Sequence, residues 1–363
     1  MIYLRSYSAT IVLHTPWTML PDSFVPSRLR DLDTTCPVPR PLLHSLYSDA
    51  LLDKEVPPAR RYTDRNGLCR SSRVKSSASM SLATLLAALC ARSCANDRQA
   101  LTHHDRVGVY IGSALPALDP AHQYETRGLT EGWGLIDPFR LPHCIPSSLA
   151  ATVAIQVGAK GSAFTCLDGH LASLRAIDRA AIALCYGEID QAFVGGAEEV
   201  SDMHLAALAG AGLSDYASTP GNRTFEFVAE GASIGLLQRN EPLGAAEGVG
   251  IDGYCEIVGE IDQKSSQLFG QTFCEGRNQR FDRVFSMFGR MSAGSASLRA
   301  LLGSLRLEIE TEWLGDIFGD LHGACAAFAL SRAIEEGGWS RALIHCAGRL
   351  QTTGLLMIRK LNA

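Results

Sequence analysis

"LASLRAIDRAAIALCYGEIDQAFVGGA", residues 171–197, and "GACAAFALSRAIEEGGWSRALIHCAG", residues 323–348, share one grammar: an Ala-rich helical run, a glycine turn, and a short apolar run of strand type. The turn falls at Gly187 in the first and at Gly337 and Gly338 in the second. Each unit is followed by a hydrophobic strand flanked by polar residues, "GASIGLLQRN" from Gly231 and "TTGLLMIRKL" from Thr352. A helix with small residues on nearly every face suits burial between two layers better than a surface. The repeat therefore predicts a duplicated α/β chain with halves at 1–240 and 241–363, each Ala-rich helix lying between sheets.

Outward from the repeat, "SMSLATLLAALCARSC" (residues 79–94) reads as a helix and "RVGVYIGSA" (106–114) as a short buried strand, after which strands and helices alternate. Residues 1–80 are the least regular part, Pro-rich around "CPVPRPLLHS" and "EVPPARRYTDRNG", and predict loops and short elements wrapped on the rest.

The chain's 363 residues are 46% hydrophobic and 20% charged, which suits a soluble globular protein with one large core or two fused ones. A net charge of −5 without a dense Lys/Arg stripe excludes nucleic acid as an expected partner, since that binding rests on neutralising phosphates. No apolar run reaches the roughly eighteen residues of a membrane span, and the start "MIYLRSYSATIVLHTPW" lacks the basic region and cleavage site of a secretory signal. The expectation is a cytoplasmic protein with no membrane partner. The eleven cysteines form no CxxC pair, so reduced, mostly buried thiols and no metal-ligating set are expected. "VGGAEE", residues 194–199, lacks the context of a phosphate-binding loop, and its glycines read as allowing close backbone approach; no cofactor-binding site is expected.

"IPSSLAATVAIQVGAKGSAFTC" (145–166), "GEIDQAFVGGAEE" (187–199), "FEFVAEGASIGLLQR" (225–239) and "GDIFGDLHGACAAFALSRAI" (315–334) resemble, in order and spacing, the ketosynthases of the thiolase fold. The likeness covers about residues 80–363, and residues 1–80 match only loosely. It implies a thiolase-like duplicated αβαβα layered sandwich. In that family a cysteine at a strand-to-helix turn is acylated from an acyl carrier protein, and two histidines assist decarboxylation and stabilise the developing charge.

Set on the family pattern, "TCLDG" puts Leu167 at the nucleophile's position, with Cys166 one residue early. "VFSMFGRMSAGS" (284–295) puts Phe288 where the first histidine belongs, and "GDIFGDLHGA" (315–324) puts Asp320 where the second belongs, His322 falling two residues late. The family's glycine-rich loop near the C-terminus is replaced by "GRLQ", Gly348–Gln351. The resemblance thus implies that no catalytic residue is intact. It points to the chain-length factor, or ketosynthase β subunit, of type II polyketide synthases, which pairs with an active ketosynthase and helps shape the tunnel for the growing chain.

The implied partners are an active ketosynthase in a heterodimer and, through that complex, an acyl carrier protein whose phosphopantetheine carries the substrates; no cofactor of the chain's own is implied. The strand "EIDQAFVGGA" (188–197) and the helix before it match the family's dimer-forming region. The alternative is a divergent acyltransferase or decarboxylase using Cys166, or Asp320 as a general base. Cys166 reads as a buried structural thiol, because acting as nucleophile would require the turn to shift by one residue. His170 reads as capping or packing within the following helix, Asp168 as a first-turn carboxylate, and His103 and His104 as solvated loop residues.

Overall fold

In the computed structural model the described residues are 2–12, 43–46, 80–96, 101, 103–199, 201, 203, 228–238, 249–275, 280–290, 294–315, 320–348 and 352–361. Strands β1 (Ile2–Val12) and β2 (Leu43–Leu46) are followed by helix α1 (Leu82–Asn96), strand β3 (Val107–Gly112), and helices α2 (Leu118–Glu131) and α3 (Ser148–Val157). Next come β4 (Ala163–Cys166), α4 (Ala172–Cys185), β5 (Gln191–Glu198) and β6 (Val228–Gln238). The remainder holds β7 (Val249–Ile257), α5 (Gln263–Phe269), β8 (Arg283–Ser286), α6 (Gly294–Ser304), β9 (Glu310–Trp313), α7 (Cys325–Glu335), β10 (Arg341–Ala347) and β11 (Thr353–Lys360).

The strands run in the order β4-β3-β5-β6-β1-β7-β11-β10-β8-β9, with β2 beside β6. From the antiparallel β1–β7 joint, the two sides follow one plan. On one side β1–β6 and β6–β5 are antiparallel and β5–β3 and β3–β4 parallel. On the other, β7–β11 and β11–β10 are antiparallel and β10–β8 and β8–β9 parallel. The repeat read in the sequence thus extends to strand order and direction.

Both Ala-rich runs form the expected helices, and both turns are left-handed where glycine stands, at Gly187 (φ 72°) and Gly338 (φ 80°). The central core takes Ala176, Ala180 and Leu184 of α4, Ala326, Ala329 and Ala333 of α7, and side chains of both strand arrays such as Val194 and Ile344. Successive strand residues face opposite ways, so Val109 and Phe193 pack outward on α1 and α3, and Leu343 and Leu355 pack outward with Leu298 and Leu301 of α6. This is the five-layered α/β sandwich, with α4 and α7 as its middle layer.

The layers approach closely at glycines. A Cβ on Gly112 would sit 2.0 Å from the Ser173 nitrogen of α4, and one on Gly323 would sit 2.4 Å from the Ala114 nitrogen. On Gly196, within the "VGGAEE" run, it would meet the Ala324 Cα at 2.7 Å, so these glycines do permit close backbone approach.

Two expectations are corrected. Residues 1–80 hold more than loops: β1 is eleven residues long and pairs with both β6 and β7. The alternation and β-branched residues of "IYLRSYSATIV" were its signal; the Pro-rich stretches lie outside the described residues. Nor can "EIDQAFVGGA" receive another chain, because β5 lies between β3 and β6, and α4 is buried along most of its length. Among the described residues, the ends of the strand order are β4 and β9. Among the described residues, no helix is long and apolar enough to cross a membrane.

Candidate functional site

β4 ends at Cys166, whose carbonyl accepts from the Ser113 N–H at 3.0 Å. The chain then turns through Leu167 and Asp168 into a single 3-10 turn, Gly169–Leu171, before α4 begins at Ala172. Gly169 holds φ 53°, a left-handed value suited to glycine. Leu167 is 51% exposed at this turn, whereas Cys166 is 6% exposed. Burial pushes the Cys166 thiol up to about 11, with Arg179 and Arg175 opposing only in part. Such a thiol stays protonated at neutral pH and is a poor nucleophile. Among the other described cysteines, Cys90, Cys94, Cys255, Cys325 and Cys346 are also buried, whereas Cys144 is half-buried and Cys185 exposed.

His170 occupies the 3-10 turn and not the helix, so its reading as a helix-packing residue is corrected. Its Nε2 lies 2.9 Å from Asp320 Oδ1, which also accepts the His322 backbone N–H at 2.8 Å. His322 Nε2 is 3.4 Å from Asp320 Oδ2, and the two imidazoles stack with centroids 5.1 Å apart and planes 19° apart. Phe288 packs beside this set, its ring centroid 6.2 Å from that of His170 and 5.6 Å from that of His345. Phe288 and Asp320 therefore meet around His170, three residues beyond Leu167.

His322, two residues late by spacing, reaches the same carboxylate because it adopts φ 42°, which turns the chain back on Asp320. Left-handed backbone is uncommon outside glycine, and spacing alone gives no sign of it. Burial pushes the Asp320 carboxyl up, but His170 and His322 together outweigh it and hold the group below the usual carboxylate range. Asp320 is therefore an ionised, positioned acceptor; as a general base it is weak. Its oxygens and the two imidazoles place three ligating atoms within 4.8 Å of one another, a grouping that the cysteine spacing gave no sign of.

Asp168 stands at the N-cap position of the 3-10 turn without a side-chain capping bond and pairs with Arg175, which also pairs with Glu256 of β7. Tyr254 donates to the same Glu256 at 2.8 Å, so α4 is tied to the second strand array beside the turn. His103 and His104 are exposed, as expected, with His104 Nδ1 2.9 Å from the Gly158 carbonyl. Of the "GRLQ" loop, Arg349–Gln351 lie outside the described residues.

Glu198 escaped the sequence reading, which saw only the glycines before it. Its buried carboxylate accepts from Ala114 N (2.6 Å), Leu115 N (3.1 Å), Gly323 N (3.0 Å) and Ser113 Oγ (3.2 Å). Burial pushes it up to about 7 despite these donors. The group pins the loop after β3 to the loop before α7, and so fixes the segment that carries His322. A charged cleft of about 460 Å³ at the β8–β9 edge, lined by Arg283, Glu310, Glu312 and Arg332, is occupied by its own ion pairs, Arg283–Glu310 at 2.6 Å and Arg332–Glu312 at 2.8 Å.

His345 on β10 is wholly buried, with Nδ1 2.9 Å from Ser286 Oγ and Nε2 unpaired among the described residues. Burial pushes it down to about 3. The unfolded chain takes up this proton near pH 6.5 while the fold refuses it, so stability falls as pH drops from there toward 3. His345→Asn should remove about 2 kcal/mol of the loss between pH 7.5 and 5, seen as a smaller decrease in melting temperature than in the parent. Glu198 acts in the opposite direction but is common to both proteins, so their difference isolates His345.

Residues 64–242 match the family described as Beta-ketoacyl synthase, N-terminal domain. The chain is similar to 3-oxoacyl-[acyl-carrier-protein] synthase 2 of Staphylococcus aureus, 28% identical over 43% of this chain and 40% of that protein. The Vibrio cholerae protein of the same description is 27% identical over 42% of this chain and 39% of that one. The chain thus spans about two fifths of the length of these curated relatives. Among solved structures it is similar to the ishigamide ketosynthase/chain length factor (TM-score 0.61, 19% identity, 80% of this chain and 83% of that one). It is also similar to a beta-ketoacyl synthase from Burkholderia phymatum (TM-score 0.65, 15% identity, 88% of both chains). A third similar structure is a type II polyketide acyl carrier protein in complex with its ketosynthase (TM-score 0.64, 18% identity, 76% of this chain and 84% of that one). The chain therefore shares the fold of these ketosynthases, and its residues 64–242 match their N-terminal domain.

Proposed function

We propose that this chain is a chain-length-factor-like subunit that performs no condensation itself, pairs with an active ketosynthase, and helps shape the tunnel for a chain growing on an acyl carrier protein. The observation that carries this reading is the turn after β4: a half-exposed leucine stands at its tip, and the neighbouring thiol is buried and hard to ionise. Phosphopantetheine-borne acyl groups would reach the complex without any cofactor held by this chain.

The strand order supports a pairing surface at β4. β4 is an end strand whose Ala163 and Phe164 are exposed. Ten of the twelve large apolar side chains exposed among the described residues fall between Leu115 and Leu167, including Phe139, Ile155 and Phe164. An apolar face beside an open strand edge suits a permanent partner. Phe164→Asp should weaken association with a co-expressed ketosynthase at least tenfold, measured by size-exclusion chromatography with mass detection. Unchanged pairing would remove β4 from the interface. In the reconstituted pair, Cys166→Ala should leave product formation nearly intact, whereas replacing the partner's nucleophilic cysteine should abolish it.

A second reading, a divergent acyltransferase or decarboxylase, draws support from the imidazoles on Asp320: a carboxylate that orients a histidine is a recurrent acid–base arrangement. There the base would be an imidazole, with Asp320 as its orienting partner. Carbon dioxide release from malonyl-carrier protein by this chain alone, lost in His170→Ala, would favour it.

A further inference from the structure

We propose that His170, Asp320 and His322 form a binding site for a divalent transition-metal ion of the zinc class. The ligating atoms come from three elements that the fold brings together: the 3-10 turn after β4, the residue before the α7 segment, and the 3-10 turn leading into α7. Two imidazoles and one carboxylate are donors that such ions prefer. The separations also fit. An ion about 2.0–2.1 Å from each donor holds tetrahedral ligands about 3.3 Å apart, and the observed spacings run from 2.9 Å (His170 Nε2 to Asp320 Oδ1) through 3.4 Å (His322 Nε2 to Asp320 Oδ2) within an overall 4.8 Å.

Charge points the same way. The Asp320 side chain is 4% exposed, and a carboxylate so buried needs a cation against it. The two imidazole rings stack at 5.1 Å, each with a ring nitrogen beside an oxygen of the one carboxylate. A divalent ion bound by neutral imidazoles satisfies all three groups at once. The Asp320 carboxylate is already held by the His322 backbone N–H at 2.8 Å, which fixes its orientation without occupying Oδ2. The His170 and His322 side chains are 25% and 14% exposed, leaving a way in from solvent.

The test uses the full chain, co-expressed with its partner if needed, stripped with a chelator and titrated with Zn²⁺ and separately with Co²⁺. One ion per chain is expected, with a cobalt spectrum lacking thiolate charge-transfer bands. Asp320→Asn and His322→Ala should each weaken binding at least tenfold, while His103→Ala with His104→Ala leaves it unchanged. Circular dichroism of each variant, and the cobalt spectrum of the unmutated chain, separate lost ligation from lost folding. No stoichiometric uptake by the unmutated chain, uptake with a thiolate signature, or binding that survives Asp320→Asn in a folded protein would each overturn the proposal.

Discussion

Incubated with acyl- or malonyl-loaded carrier protein, this chain should keep its own mass to within a proton on intact mass spectrometry, while an active ketosynthase beside it gains one acyl group. The expectation rests on the turn after β4. Leucine has no group to acylate, and the Cys166 thiol, pushed up to about 11 by burial, has a negligible thiolate fraction at neutral pH. Acyl transfer to Cys166 would also require β4 to slip by one residue, moving every β4 side chain to the opposite face. A stoichiometric thioester on Cys166 would refute both the structural role of this cysteine and the non-condensing reading.

The largest stability effect is expected at Gly112. The Cβ of Gly112→Ala would sit 2.0 Å from the Ser173 nitrogen, a backbone atom of α4 that cannot swing aside. The middle layer would have to shift, costing on the order of 3 kcal/mol or more and lowering the denaturant midpoint or leaving the protein insoluble. Gly303→Ala is the control. It lies in α6 with nothing within 4 Å of the added atom, and alanine's better helix propensity should stabilise by up to about 1 kcal/mol. Equal stability of both variants would mean that α4 does not pack on β3 as closely as described.

The repeat, the buried Ala-rich helices and their glycine turns were legible because each depends on local periodicity. β1 was not, because an irregular, Pro-rich neighbourhood masked an alternating run whose partners, β6 and β7, lie over two hundred residues away in sequence. Leu167, Phe288 and Asp320 could be singled out by resemblance, but what surrounds them could not. His170 reaches Asp320 across 150 positions, His322 reaches it through a left-handed residue, and Glu198 gathers amides from two distant loops. Each of these contacts is created by the packing of the two strand arrays and leaves no mark in local spacing.

β4 is only four residues long, with Phe164 exposed near its start and the Leu167 turn immediately after its end. So short a strand behaves as a lever. Were the proposed partner to pair along its edge, it would also set the position of the turn and hence of His170, and anything that immobilised His170 would stiffen that edge. By thermodynamic reciprocity, the factor by which an occupant of the His170–Asp320–His322 cluster tightens subunit association equals the factor by which association tightens its hold on that occupant.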